Sequence, residues 1–215
     1  MFNKNKISKT IRFLIISDFF LFFSVGLLAP IFAVFILENI ENKIEVVGCA
    51  VSCYWATRVI MVIPLSRLMD KIKGEFDEYS FMVVGTFLVS IIPLFYIISS
   101  APWHLYLLQI ANGLANSMMV PAWRIIFTNH IDRKIVGFEW SLEDVGVGIA
   151  TALSATIGAY IADKLGFDIL FYVIAFLGII SVSVLVFMGK DRNKTLKNLN
   201  FNHSDRAPLK LDTFK

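Results

Sequence analysis

Two charged residues lie inside runs that are otherwise apolar. Asp18 sits about 9 Å into the first such run and Arg58 about 10 Å into the second, each measured from the end expected to face the cytoplasm. A charge in hydrocarbon is costly and normally faces protein or a water-filled cavity. Similar depth allows Asp18 and Arg58 to pair. The pair reads either as a structural ion pair fixing a bundle or as a coupling site for protons or solute. The fourth run carries Gln109, Asn112 and Asn116 at i, i+3 and i+7, on one helix face near mid-membrane. Their amides offer donors and acceptors to a solute without bringing charge. The alternative is hydrogen bonding between helices, which polar residues in spans also do. Trp123 and Arg124 follow toward the cytoplasmic end, where Arg124 can snorkel or pair with an acid such as Glu143.

The elements that must position these groups are membrane helices. The 215 residues are 57% hydrophobic and only 17% charged, with 20 phenylalanines. A soluble domain of this size needs far more polar surface. A bilayer core takes about 20 apolar residues per helix. Six stretches qualify: Arg12–Leu37, Ile44–Leu65, Phe81–Ser99, Trp103–Thr128, Val136–Ala162 and Phe167–Met188. The fold class expected is all-α, six transmembrane helices in one domain over 12–188. A short N-terminal segment (1–11) and a polar tail (189–215) flank it. The basic start resembles a signal peptide, but its apolar part is too long, so it reads as a span that stays. Lysines and arginines crowd one side of the connections: Lys4, Lys6, Lys9 and Arg12, then Arg67, Lys71 and Lys73, then Arg133 and Lys134, then Lys190, Arg192, Lys194 and Lys197. The opposite side has Lys43 and Lys164. Both termini are therefore expected in the cytoplasm, with the chain in the plasma membrane. On that side the triplets Asn193-Lys-Thr195 and Asn202-His-Ser204 would not be glycosylated. Cys49 and Cys53, four apart in an apolar run, read as core packing.

Gly146, Ala150, Ser154, Gly158 and Ala162 recur every four residues along the fifth run. On a helix they form a flat groove where another backbone can approach. Pro30 and Pro121 are 91 apart, and Asp70 and Asp163 are 93 apart. These offsets suit a chain built as three spans plus three spans. Because three is odd, the second triplet is inverted across the membrane. Enzyme chemistry is not expected: no HExxH, GxSxG or Gly-rich phosphate cradle occurs, and the three histidines are scattered. No cofactor, metal or nucleic-acid partner is implied.

The turn "SRLMDKIKG" between the second and third runs resembles the cytoplasmic loop signature of the major facilitator superfamily, G-x-L-a-D-r-x-G-r. Leu68, Asp70 and Lys71 match, while Ser66 replaces the first glycine and Gly74 comes one residue late. Pro30, the basic turn "IDRKIVGFEW" with Arg133 and Gly137, and "IGAYIADKLGFDILFY" with Gly158, Gly166 and Phe171 are also similar to that family. The Gly-Pro of its antiporter-type fifth span is replaced by Thr156-Ile157-Gly158. The resemblance implies that Asp70 works with Arg67, Lys71, Arg124 and Arg133 in a gating charge network. It implies a secondary transporter moving a small organic solute by alternating access near spans one, two and four. It also implies a second six-span half, because this chain resembles only the N-terminal one. That half would come from a homodimer, from another chain, or from sequence lost by truncation. The rival expectation is a membrane scaffold or partner subunit that transports nothing.

Overall fold

The computed structural model describes residues 7–71 and 75–196, with side chains as far as Lys190. Among the described residues every regular element is helical. The first span begins as α1 (Lys9–Leu28), capped by Ser8, whose Oγ accepts the Ile11 N–H at 3.1 Å. A 3-10 turn, Ala29–Ile31, interrupts it before α2 (Phe32–Asn39) completes it. Pro30 causes the break, having no N–H to offer the Gly26 carbonyl one turn back. Five further helices follow: α3 (Ile44–Lys71), α4 (Phe76–Tyr96), α5 (Pro102–His130), α6 (Val136–Leu165) and α7 (Phe167–Leu196).

Lys9–Asn39 and α3, α4, α6 and α7 up to Lys190 are long and apolar enough to cross a membrane. The remaining long helix, α5, reaches the length but carries Gln109, Asn112, Asn116 and Arg124. α4 starts at Phe76 rather than near Phe81, because Asp77 and Glu78 occupy its first turn, where the helix dipole favours acids. α7 continues past Met188 to Leu196, so the expected tail begins as helix. Residues 197–215 lie outside the described residues, as do the first six and 72–74. Asn202-His-Ser204, Lys4, Lys6, Lys73 and Gly74 therefore fall there, and of Asn193 and Thr195 only the backbone is described.

The helices pack by a rule that the sequence only hinted at. α1 packs on α6 and α7; α5 packs on α3 and α4; α4 also packs on α7. Exchanging spans one, two and three with four, five and six maps the first pair of seams onto the second and the α4–α7 seam onto itself. The 3+3 inverted repeat is thus written in the packing. Two glycines set its equivalent close approaches. A Cβ on Gly158 would run into the Leu27 carbonyl across the α1–α6 seam. One on Gly113 would stand 2.5 Å from the Tyr54 carbonyl oxygen across the α3–α5 seam. Of the fifth-span ladder, Ala150, Ser154 and Gly158 are buried, and Gly146 and Ala162 half-buried. Polar bonds tie α1 to α7: the Ser17 and Ser181 hydroxyls lie 2.8 Å apart, and the Ser24 hydroxyl donates to the Ile174 carbonyl at 2.9 Å.

The apolar interior divides between the two ends. One cluster joins Phe35, Tyr96, Phe171 and Leu27 near the α1 break; the other joins Ile11, Met69, Met82 and Phe127 at the opposite end. α3 and α6 are the least buried of the apolar spans. Cys49 and Cys53 are free thiols on α3, the first exposed and the second half-buried. The expectation of core cysteines therefore fails, because α3 is covered along little more than the flank it presents to α5.

Candidate solute cleft and charged helix ends

The α5 amides begin at a cleft of about 180 Å³ below the break in the first span. Val25 and Ala29 form part of its rim, Pro93 and Tyr96 come from α4, and Gln109 and Asn112 from α5. Placement follows from the sequence. The i, i+3 spacing puts Gln109 and Asn112 on one face, and the Pro30 break turns Phe32 and Phe35 toward Tyr96. Gln109 is 7% exposed, and its Nε2 donates to the Tyr96 hydroxyl at 3.4 Å. Asn116 donates to the Asn112 carbonyl at 3.0 Å and to Asn112 Oδ1 at 3.1 Å. Tyr96 was not among the residues singled out in the sequence. An aromatic hydroxyl at the end of an apolar run, facing a polar helix, was the available signal.

Asp18 and Arg58 are not brought together. α1 and α3 are not packed neighbours, and the two form no ion pair. The Arg58 guanidinium donates to the Tyr54 hydroxyl at 3.0 Å and lies 5.1 Å from the centre of the Trp55 ring. It is satisfied within its own helix, partly by cation–π attraction. Asp18 is 8% exposed and accepts no hydrogen bond among the described residues. The charged group within electrostatic reach of it is Glu143 on α6. The expected acid–base pair is therefore absent among the described residues.

At the far end of the bundle, Arg67, Asp70 and Lys71 end α3, Arg124 lies in the last two turns of α5, and Arg133 lies in the following turn. All five are exposed, and none pairs with another among the described residues. Arg124 likewise makes no ion pair with Glu143. The residues that do join elements here are ones the sequence reading passed over. Glu75 accepts from Asn129 Nδ2 at 3.1 Å, with His130 Nε2 at 3.8 Å. Glu139, fully buried, accepts the Asp132 N–H at 2.9 Å and closes the α5–α6 turn. Acids flanking or opening an apolar run were the signal for both.

Comparison with known proteins agrees with this architecture. The family model described as Major Facilitator Superfamily matches residues 14–214. The uncharacterised MFS-type transporter MJ1560 of Methanocaldococcus jannaschii is 23% identical over 179 residues, covering 83% of this chain and 45% of that protein. The multidrug resistance protein MdtG of Enterobacter lignolyticus is 25% identical over 177 residues, covering 79% and 40%. The solved structure of the POT family transporter PepTSo superposes with a TM-score of 0.72 at 14% identity, covering 87% of this chain and 38% of that one. The chain thus spans less than half the length of each. The long apolar helices, the inverted packing and the family match together show that this chain is an integral membrane protein belonging to the major facilitator superfamily.

Proposed function

We propose that this chain is one half of a secondary transporter for a small organic solute, working by alternating access with a second half. That half is a second copy or a partner chain. The carrying observation is the family match combined with two uncovered helix faces. α3 exposes Gly48, Ser52 and Ala56, and α6 exposes Gly148, Ala152 and Thr156, each set four residues apart. A Cβ on Gly48 or Gly148 would meet nothing within 4 Å, so both faces can take another backbone at close range. The faces belong to spans two and five, which the repeat interchanges, so a twofold axis along the membrane normal would set α3 of one half against α6 of the other, twice.

In this reading Asp18, Arg58, Gln109, Asn112 and Asn116 are the solute and coupling contacts. Arg67, Asp70, Lys71, Arg124 and Arg133 find their gating partners on the second half and not on one another. In this reading the bundle lies in the plasma membrane, and the cation asymmetry supports cytoplasmic placement of both ends. Energy comes from a gradient. Multidrug resistance proteins among the relatives support an organic solute. Arg58, being satisfied inside its own helix, favours a second reading: a partner subunit whose polar groups only pack.

Proteoliposome uptake distinguishes the two, and transport by the reconstituted chain is expected. The seam is tested in a Cys49→Ser/Cys53→Ser background by adding Ser52→Cys and Ala152→Cys. Crosslinking into a covalent pair is expected; a monomeric mass in mild detergent with neither crosslink nor uptake would sink the proposal.

A further inference from the structure

The cleft under the first-span break has the size of a single ring. An engineered apolar cavity of about 150 Å³ admits benzene, and this one measures about 180 Å³. Drug-sized ligands need about 300 Å³ or more, so the occupant is smaller than those. Ile92, Ile174 and Phe32 supply apolar surface, and no charged side chain lines the space.

Its polar groups keep capacity in hand. The Tyr96 hydroxyl oxygen accepts from Gln109, yet among the described residues its proton has no acceptor. Among the described residues Gln109 Oε1 accepts nothing and Asn112 Nδ2 donates to nothing, while Asn112 Oδ1 is taken by Asn116. Tyr96 and Gln109 are 3% and 7% exposed and Asn112 is half-buried, so a molecule in the cleft meets these groups with little competition from solvent. An ion would lose its hydration there without gaining a counter-charge. A neutral group that both donates and accepts would meet the open positions. The rim is accessible: Val25 is 44% exposed.

We propose that this cleft binds an uncharged, single-ring amphipathic molecule of phenol-like chemistry. Its ring lies against Ile92 and Ile174, and its hydroxyl is shared among Tyr96, Gln109 and Asn112. The site is complete within the six-helix bundle, so binding needs no second half. Its role as a solute station rests on the transporter reading; the binding itself does not.

The test is ¹⁹F NMR titration of the full chain in detergent micelles with four probes: 4-fluorophenol, fluorobenzene, 4-fluorobenzoate and protonated 4-fluorobenzylamine. Saturable binding of 4-fluorophenol is expected, with none for the two ions. Val25→Phe, at the exposed rim, should abolish it. Val34→Phe, an exposed change of the same kind away from the cleft, should leave it intact. Gln109→Leu should weaken 4-fluorophenol by about 5-fold and leave fluorobenzene unchanged. Uptake that rises linearly without saturation, or survives Val25→Phe, overturns the proposal, as would equal affinity for either ion. Saturable binding by a chain that moves no solute in proteoliposomes would sink transport and uphold the site. Transport without such binding would do the reverse.

Discussion

Gly158→Ala tests the seam on which the bundle depends. The added Cβ would stand 2.6 Å from the Leu27 carbonyl carbon and 2.7 Å from its Cα, where contacts tighter than 3.4 Å are already rare. The Leu27 carbonyl oxygen is nearer still, so α1 and α6 must part by about 1 Å or more, enough to forfeit about half of the dispersion energy along the opened face. The obstacle is backbone, so no rotamer change relieves it. Overpacking of this kind costs about 1–3 kcal/mol. At about 3 °C per kcal/mol for a chain of this length, the unfolding midpoint should fall by about 3–9 °C. Gly148→Ala is the control. It lies on the same helix with nothing within 4 Å of its Cβ, and should be neutral or stabilising by up to about 1 kcal/mol from helix propensity. The assay is thermal unfolding in one detergent at one scan rate, followed by tryptophan fluorescence and size exclusion. Equal midpoints for Gly158→Ala and Gly148→Ala would refute the close approach, and with it the packing rule built on it.

Asp18→Asn and Arg58→Gln should be additive in stability, with a coupling below about 0.5 kcal/mol, since the two residues do not pair. A double-mutant cycle read by thermal unfolding checks this, and a coupling above 1 kcal/mol would restore the pair. Ser17→Ala should cost about 0.6 kcal/mol, with Ser181→Ala adding little to it, because both hydrogen bonds between them are made by Ser17 Oγ. Glu139→Ala should cost about 1–3 kcal/mol by leaving the Asp132 N–H without its acceptor, and should speed proteolysis at residues 131–135 while Glu75→Ala leaves that turn intact.

Much of the fold could be read from the residues alone. Apolar run lengths located every long helix, and the Gly146–Ala162 ladder marked the face that α1 meets. What failed was neighbour identity. Asp18 and Arg58 share a depth, but depth along the normal says nothing about which helices touch, and α1 and α3 stand apart. Cys49 and Cys53 looked like core residues because apolar runs do not declare whether lipid or protein covers them. For the site, the amide spacing on α5 was legible, whereas the cleft is completed by the Pro30 break, which brings Phe32 and Phe35 to Tyr96 from a distant part of the chain, and by the Tyr96 hydroxyl meeting Gln109 across the α4–α5 turn. The Asp70 turn was conspicuous as a motif, yet the joints actually made near it belong to Glu75 and Glu139, whose roles depend on where the α5 and α6 ends arrive.

The seams also impose an order of assembly. Apart from a lesser contact between α6 and α7, nearly every extensive seam joins a span of the first triplet to one of the second. The Ser17–Ser181 bond closes a separation of 164 residues. During synthesis α1, α3 and α4 therefore enter the bilayer without lasting neighbours. α5 then gathers α3 and α4, and α1 waits for α6 and α7. Until α7 is made, the small-residue faces and buried hydroxyls of the early spans are open to wrong partners, so these helices are most vulnerable to misassembly and quality control just before α7 joins them.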